Sequence, residues 1–423
     1  MRLVHTADWH LGHTLHDTPR DEEHRRFLAW LLDVLGRERV DALLIAGDVF
    51  ETANPTAEAQ AAWYGFLAET RRRHPRLDVV VIGGNHDSAA RLDAPTPILD
   101  ELGVRIVGGL ARGEVARTIV PLHDARGRVA ARAIAVPFLR PVDLPPPEGE
   151  SSDRLVDGVR RVYAEAIARA RAERREGEAL IALGHLYMSG TQLSELSERK
   201  ILGGNQHALP VDVFPEDLAY VALGHLHLAQ AVGGRATVRY AGSPIPLSLD
   251  EAGYTHSVTL VELEGDRCAD VQMLPVPRAR SVLRLPPEPA PLDEVLTLLA
   301  HLPVLPVVSG NDAGASQNDA GASNAQLPPF LEVRVRLARP EPALRRKIED
   351  ALVGKAVRLV RIARSLDGEA RALGESAPRA SLRELAPEDV FIERYHRDHA
   401  GAPPAELLAT FHELLDAVAR GET

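Results

Sequence analysis

The chain has 423 residues, 45% of them hydrophobic, enough for two or three domains with ordinary cores. No basic stretch followed by an apolar run opens it and no window of about 18 uninterrupted apolar residues occurs, so no secretory signal and no membrane span are expected and the expected compartment is cytoplasmic. The net charge of −11 argues at first against a nucleic-acid partner, and the single cysteine, Cys268, excludes an intrachain disulfide and a cysteine-rich zinc site, so any metal must sit on His, Asp and Asn.

In chain order, the apolar start Leu3-Val4 is followed by a helix from about Glu22 to Arg37, where Phe27, Leu28, Leu31, Leu32 and Leu35 form a stripe at helical spacing. A strand over Ala42 to Ala46 comes next, then a helix opened by Asn54 as N-cap with Pro55 at the first helical position, and a strand over Val79 to Ile82. This βαβα alternation predicts a largely parallel sheet under helical cover. A third helix, about Asp153 to Arg175, follows the proline-rich PVDLPPPEGESS, and strands are expected at Leu180 to Leu183, Tyr220 to Leu223, Arg235 to Tyr240 and His256 to Glu262.

From MLPVPRARSVLRLPPEPAPLDE the composition turns proline-rich, which places a domain boundary near residue 275. Residues 276–372 then read as a small α+β domain, with FLEVRVRLA alternating like a strand, EPALRRKIEDAL like a helix, and AVRLVRIAR after it. A flexible insertion at about residues 307–328 repeats NDAGAS and lacks large apolar side chains. Residues 373–423 read as two short amphipathic helices, and Phe411, Leu414, Leu415 and Val418 form a stripe that this tail alone cannot bury. Charge is uneven here: Leu331 to Arg371 carries eleven Lys and Arg against six Asp and Glu, and Glu375 to Thr423 carries five against ten. A locally basic middle and an acidic tail sit inside an acidic whole.

Five polar clusters each close an apolar, strand-like run: Asp8-x-His10 after LVHTA, GDVFE (47–51) after ALLIA, GGNHD (83–87) after VVVI, Gly184-His185 after LIAL, and GHLH (224–227) after YVAL. Ligands of α/β sheets collect at the carboxyl ends of strands, so the five stretches should converge. On an extended chain Asp8 and His10 would point to the same side. The glycines before Asp48, Asn85, His185 and His225 allow a sharp turn and a close approach. Singly, Gly-Asp is a common turn, Asn-His-Asp a helix cap and Gly-His a satisfied core histidine; their joint occurrence in this order favours a site. Two aspartates, four histidines and an asparagine make a mixed oxygen and nitrogen ligand set, suited to Mn, Fe or Zn more than to Ca and large enough for two ions. Two ions about 3.5 to 4 Å apart can clamp a phosphate and sharpen a water into hydroxide, which is phosphoester hydrolysis.

HTADWHLG, VDALLIAGDVF, GGNHDS and YVALGHLH resemble the calcineurin-like metallophosphoesterases and, more narrowly, the Mre-type nuclease family of double-strand-break repair complexes, over almost the whole chain. The resemblance implies an α/β fold: a metallophosphoesterase β-sandwich flanked by helices (1–275), a small α+β DNA-capping domain (276–372) and a helical partner-binding tail (373–423). It implies that Asp8, His10, Asp48 and His227 hold one Mn²⁺ and Asp48, Asn85, His185 and His225 a second, with Asp48 bridging. His86 matches the family's non-ligand histidine, which contacts the phosphate or helps the leaving oxygen depart. Glu51 stands where relatives carry histidine, and its carboxylate could orient His86 or make a surface salt bridge. Asp87 is expected to support the turn. His13 and His16 could touch DNA at the rim or face solvent. The implied activity is 3′-to-5′ exonuclease action on double-stranded DNA and endonuclease action on hairpins, in DNA repair and recombination. The implied partner is an SbcC-like ATPase bound through the tail, with a homodimer inside a heterotetramer. A small-substrate phosphodiesterase and a catalytically silent scaffold are the alternatives. The basic second domain and striped tail speak against the first, the intact ligand set with His86 against the second.

Overall fold

A computed structural model describes residues 1–111, 113–146, 153–192, 208–304 and 327–366, with residues 391, 392, 394, 395, 403, 404, 407, 408 and 411 of the tail. The NDAGAS repeats lie outside these residues, as do Leu385, Val390, Leu414, Leu415 and Val418.

Two six-stranded sheets carry the N-terminal part. The first runs Arg267–Pro275, Ser257–Glu264, Arg2–Thr6, Ala42–Ala46, Asp78–Ile82, Val104–Val107; the second runs Gln230–Val232, Arg235–Tyr240, Tyr220–Gly224, Ala179–His185, Val129–Ala135, Ile119–His123. Parallel pairs occupy both centres; the edge pairs are antiparallel except at Val104–Val107, which lies parallel to Asp78–Ile82. Within Ala42–Ala46 alternate side chains serve different layers. Leu43 and Ile45 join Phe27, Leu31 and Trp63 of the helices Asp21–Arg37 and Ala57–Arg73, while Ala42, Leu44 and Ala46 join Ile181 and Leu183 between the sheets. On the far side Leu180, Ala182 and Val221 pack with Tyr163 and Ile167 of the helix Arg154–Glu173. The result is helix, sheet, sheet, helix. Central strands buried on both faces explain why ALLIA, VVVI and LIAL are unbroken apolar runs.

The βαβα alternation predicts a largely parallel sheet, and Arg2–Thr6, Ala42–Ala46, Asp78–Ile82 and Val104–Val107 pair in parallel. Strands between Ile119 and Tyr240 then build a second sheet, and Ser257–Glu264 and Arg267–Pro275 return to the first, so the apolar faces of the two sheets cover each other. The second helix starts later than Asn54-Pro55 suggests: its N-cap is Thr56, whose hydroxyl accepts from Ala59 N at 3.2 Å.

The proline-rich segment contains an unexpected strand, Arg280–Pro291, at the edge of a three-stranded sheet with Leu327–Leu337 and Arg358–Leu366. An edge strand tolerates proline because one side needs no N–H donors. Its register slips between Leu285 and Ala290, the interval that holds Pro286, Pro287 and Pro289. The helices Leu292–Ala300 and Leu344–Ala351 accompany this sheet and bury Val295, Leu299, Leu344 and Ile348. Phe330 packs with Leu15 and Leu249, and its ring lies under the guanidiniums of Arg20 (5.1 Å) and Arg280 (4.5 Å).

Residues Leu337–Pro340 and Ser365–Thr423 form a second compact unit. There Phe391 and Phe411, one from each tail segment read as helical, stack with centroids 4.3 Å apart. No helix among the described residues is long and apolar enough to cross a membrane.

Candidate metal centre

The five expected clusters arrive at one end of the sandwich. Beyond their strands, the segments around Asp8 and Asp48 run side by side: Asp8 N donates to Gly47 O (3.0 Å), His10 N to Asp48 O (3.1 Å) and Leu11 N to Val49 O (2.9 Å). The chain is not extended there. Asp8 (φ 54°), His10 (φ 48°), Asp48 (φ 49°) and His225 (φ 104°) all lie in the left-handed region, so turns rather than strand alternation bring Asp8 and His10 to one side. Such conformations cost on the order of 1–3 kcal/mol each and concentrate at functional sites. Two glycines are required by crowding: a Cβ on Gly84 would meet the Asp48 carboxylate, and one on Gly47 the His185 imidazole.

Asp8, His10 and His227 present ligand atoms within 4.8 Å of one another, as do Asp8, Asp48 and His185, and His10, Asp48 and His86. Asn85 Oδ1 lies 2.9 Å from His185 Nε2 and 3.0 Å from His225 Nδ1, which adds the last two expected ligands to the cluster. Asp8 Oδ2 and His10 Nε2 are buried without a hydrogen-bond partner. Unpaired buried polar atoms of this kind are costly. An ion with borderline taste for nitrogen and oxygen would satisfy both, so the residues present fit divalent metal.

The imidazoles are held from behind. His10 Nδ1 meets Glu51 Oε2 at 2.9 Å, His227 Nδ1 meets Glu251 Oε1 at 2.9 Å, and His185 Nδ1 meets the Ala46 carbonyl at 2.9 Å. Each contact leaves Nε2 as the ligand nitrogen. His86 Nδ1 donates to the Glu51 main-chain carbonyl at 2.8 Å, and its backbone N donates to Asp48 Oδ1 at 2.9 Å. Glu51 therefore makes neither of the side-chain contacts expected of it: its carboxylate turns to His10, and His86 is met by its carbonyl. The Asp87 carboxylate accepts from Gly84 N (2.9 Å), Phe50 N (3.0 Å) and Val49 N (3.1 Å), tying the GGNHD turn to the GDVFE segment.

Glu251 is the residue that reading the sequence missed. It is fully buried in the short turn Asp250–Gly253, 24 positions beyond His227, and no local motif marks it. His24 was also missed; its Nε2 contacts the Trp9 carbonyl at 2.9 Å, inside the Asp8–His10 segment. His5 stands apart from the cluster, buried with its Nδ1 2.9 Å from the Tyr220 hydroxyl. His13 is half-buried, its backbone N bonded to His10 O at 2.9 Å, and His16 is exposed just after the short strand Thr14–Leu15.

Electrostatics follow from burial and pairing. Burial pushes Asp8 up to about 7 and Asp87 up to about 6. It also works against the charge of Asp48, but the neighbouring His185 outweighs it and holds that carboxyl well below the usual range. Conversely burial disfavours a charged His185, yet Asp48 raises it to about 9. Burial lowers His10 and takes His225 down to about 3, which keeps both neutral and able to donate a lone pair.

Residues 1–229 match the calcineurin-like phosphoesterase family, and residues 278–399 match the family described as type 5 capsule protein repressor C-terminal domain, SbcD_C. The chain is 42% identical over 407 residues to the D subunit of nuclease SbcCD from Rhodobacter capsulatus, covering 93% of this chain and 94% of that protein. The same subunit from Escherichia coli K12 is 32% identical over 402 residues, covering 93% and 92%, and that from Bacillus subtilis 168 is 36% identical over 267 residues, covering 62% and 66%. The chain thus belongs to the calcineurin-like phosphoesterases, in the branch of the nuclease SbcCD D subunits.

Proposed function

We propose that this chain is a Mn²⁺-dependent DNA nuclease, a 3′-to-5′ exonuclease on duplex ends and an endonuclease on hairpins, acting with an SbcC-like ATPase in DNA repair and recombination. The observation that carries the reading is the pair of buried ligand atoms without a hydrogen-bond partner, Asp8 Oδ2 and His10 Nε2, the latter 3.6 Å from Asp48 Oδ2, gathered with Asp48, Asn85, His185, His225 and His227 at one end of the sandwich. Asp8, His10, Asp48 and His227 would hold one divalent ion and Asp48, Asn85, His185 and His225 the other. Bound there, the ions supply hydroxide near neutral pH and offset charge that develops on the phosphate. His86 gives its Nδ1 proton to the Glu51 carbonyl, so Nε2 is the nitrogen set to touch the phosphate or hand a proton to the departing oxygen. Asp87 keeps the turn that carries Asn85 and His86 in place.

Residues 1–275 are assigned to hydrolysis, 276–372 to a DNA-capping domain, and 373–423 to the ATPase, within a heterotetramer built on a nuclease homodimer. The excess of Lys and Arg between Leu331 and Arg371 supports a phosphate-lined path over the second domain. The test is incubation of the purified full chain and Mn²⁺ with labelled duplex DNA, hairpin DNA or a small phosphodiester. Cleavage of DNA in preference is expected; preference for the small ester overturns the reading. Truncation before Leu382 should leave that cleavage intact and abolish co-purification with the ATPase, and unchanged co-purification would place the interface elsewhere.

A further inference from the structure

The histidines around the cluster are supported unequally. On the Asp8 side, His10 is backed by the carboxylate of Glu51 and His227 by that of Glu251, each at 2.9 Å. On the other side, His185 is backed by a neutral carbonyl, that of Ala46. A carboxylate on Nδ1 fixes the ring as a carbonyl does, and it also makes Nε2 a stronger donor and adds negative charge close to the cation.

We infer that the two ion positions differ in affinity, the Asp8–His10–His227 position being the tighter, because Glu51 and Glu251 act there as positioning residues. The inference rests on the two-ion reading above. Glu251 is built into place: its Oε2 accepts from Leu247 N at 2.8 Å and lies 3.4 Å from Ser243 Oγ, and no part of it reaches solvent. The charge of the nearby Arg20 is paired with its own carboxylate, Glu23, at 2.7 Å, and its guanidinium also donates to the Pro246 carbonyl at 2.7 Å. Arg20 fastens the loop on which Glu251 sits. Glu51 is independent of this loop; it follows the strand Ala42–Ala46, and its side chain is one-quarter exposed. Two glutamates from separate segments converge on two imidazoles of one ion position. Neither is among the residues whose ligand atoms cluster.

The test measures Mn²⁺ bound to the full-length chain across free Mn²⁺ concentration, by equilibrium dialysis with elemental analysis and by the electron paramagnetic resonance signal of the free ion. The wild type should take up two ions with distinct dissociation constants. Glu251→Gln and Glu51→Gln should each weaken the tighter class at least about tenfold, the range seen when such outer partners are removed, and leave the weaker class where it was. Should Glu251→Gln fail to fold, Glu51→Gln alone decides, with its metal-free melting curve compared to wild type. Two equal sites in the wild type, a tight class untouched in a folded variant, or weakening confined to the looser class would overturn the inference while leaving the two-ion reading standing. Uptake of fewer than two ions by the wild type would defeat that reading and the inference with it.

Discussion

Asp8, at the open end of the sandwich, and Glu332, in the three-stranded sheet, are both cut off from solvent, yet the fold treats them oppositely. Glu332 has Arg284 at 3.1 Å and Arg334 and Arg361 at 3.4 Å around its carboxylate. Asp8 receives one backbone N–H, from His225 at 2.9 Å, and its second oxygen has no partner, on a residue held at positive φ. A buried charge that the protein satisfies itself belongs to the architecture. A buried charge left half unsatisfied in a strained turn is held for something else.

The most severe way to break the Asp8 end is through its neighbour. Asp48 shares ligand geometry with Asp8 and His185 and with His10 and His86, so no residue nearby can replace it. Asp48→Ala should abolish DNA hydrolysis and lower bound Mn²⁺, read by elemental analysis of the dialysed protein; an unchanged Mn²⁺ content would remove Asp48 from a shared position. His86 should separate chemistry from binding. His86→Asn should keep both ions and DNA affinity while single-turnover cleavage falls roughly 10²- to 10⁴-fold, as expected for loss of a proton donor. Loss of metal would make His86 a ligand, and wild-type rates would take it out of the mechanism.

The Asp8 end was legible in the sequence because its residues interrupt the pattern: each polar cluster follows an unbroken apolar run, and strands buried on both faces tolerate polarity only where they end. The supports behind the ligands were not legible. Glu251 lies in SLDEAGY, which reads as an ordinary turn, and only the folded chain brings it to His227. The two-sheet sandwich came from the resemblance, since βαβα alternation is the same whether later strands extend one sheet or found another. Around residue 280 the prolines concealed a strand, because composition cannot tell an edge strand, which tolerates them, from a linker.

Proton release sharpens the comparison at moderate cost to activity. Asp8, raised by burial to about 7, carries a proton below that pH, and His185, raised to about 9 by Asp48 despite burial, carries one below 9. Metal must displace both protons, so affinity should fall as pH falls, and more steeply below about 7 than above it. Calorimetric titration with Mn²⁺ in buffers of different ionisation enthalpy should show about one proton released near pH 8 and about two near pH 6. Release that does not grow as pH falls would mean that Asp8 is already ionised without metal.

The smallest expected effects set the two acids directly against each other. Glu332→Gln leaves three guanidiniums with a neutral partner, and because all three side chains are a quarter to a half exposed, water can take over part of the charge's work. The loss should be about 1–2 kcal/mol, below the cost of breaking a fully buried pair. It would appear as a melting temperature lower by a few degrees with unchanged Mn²⁺ binding. Asp8→Asn should move the other way in metal-free protein: above about pH 7 the fold bears the cost of an ionised, half-satisfied carboxylate, and the amide relieves it. The metal-free variant should therefore melt higher than wild type at pH 8, by less at pH 5.5 where the wild-type acid is itself protonated, while Mn²⁺ no longer stabilises it as strongly. If both substitutions lower the melting temperature alike, Asp8 is as much a structural charge as Glu332, and the strain around it serves the fold.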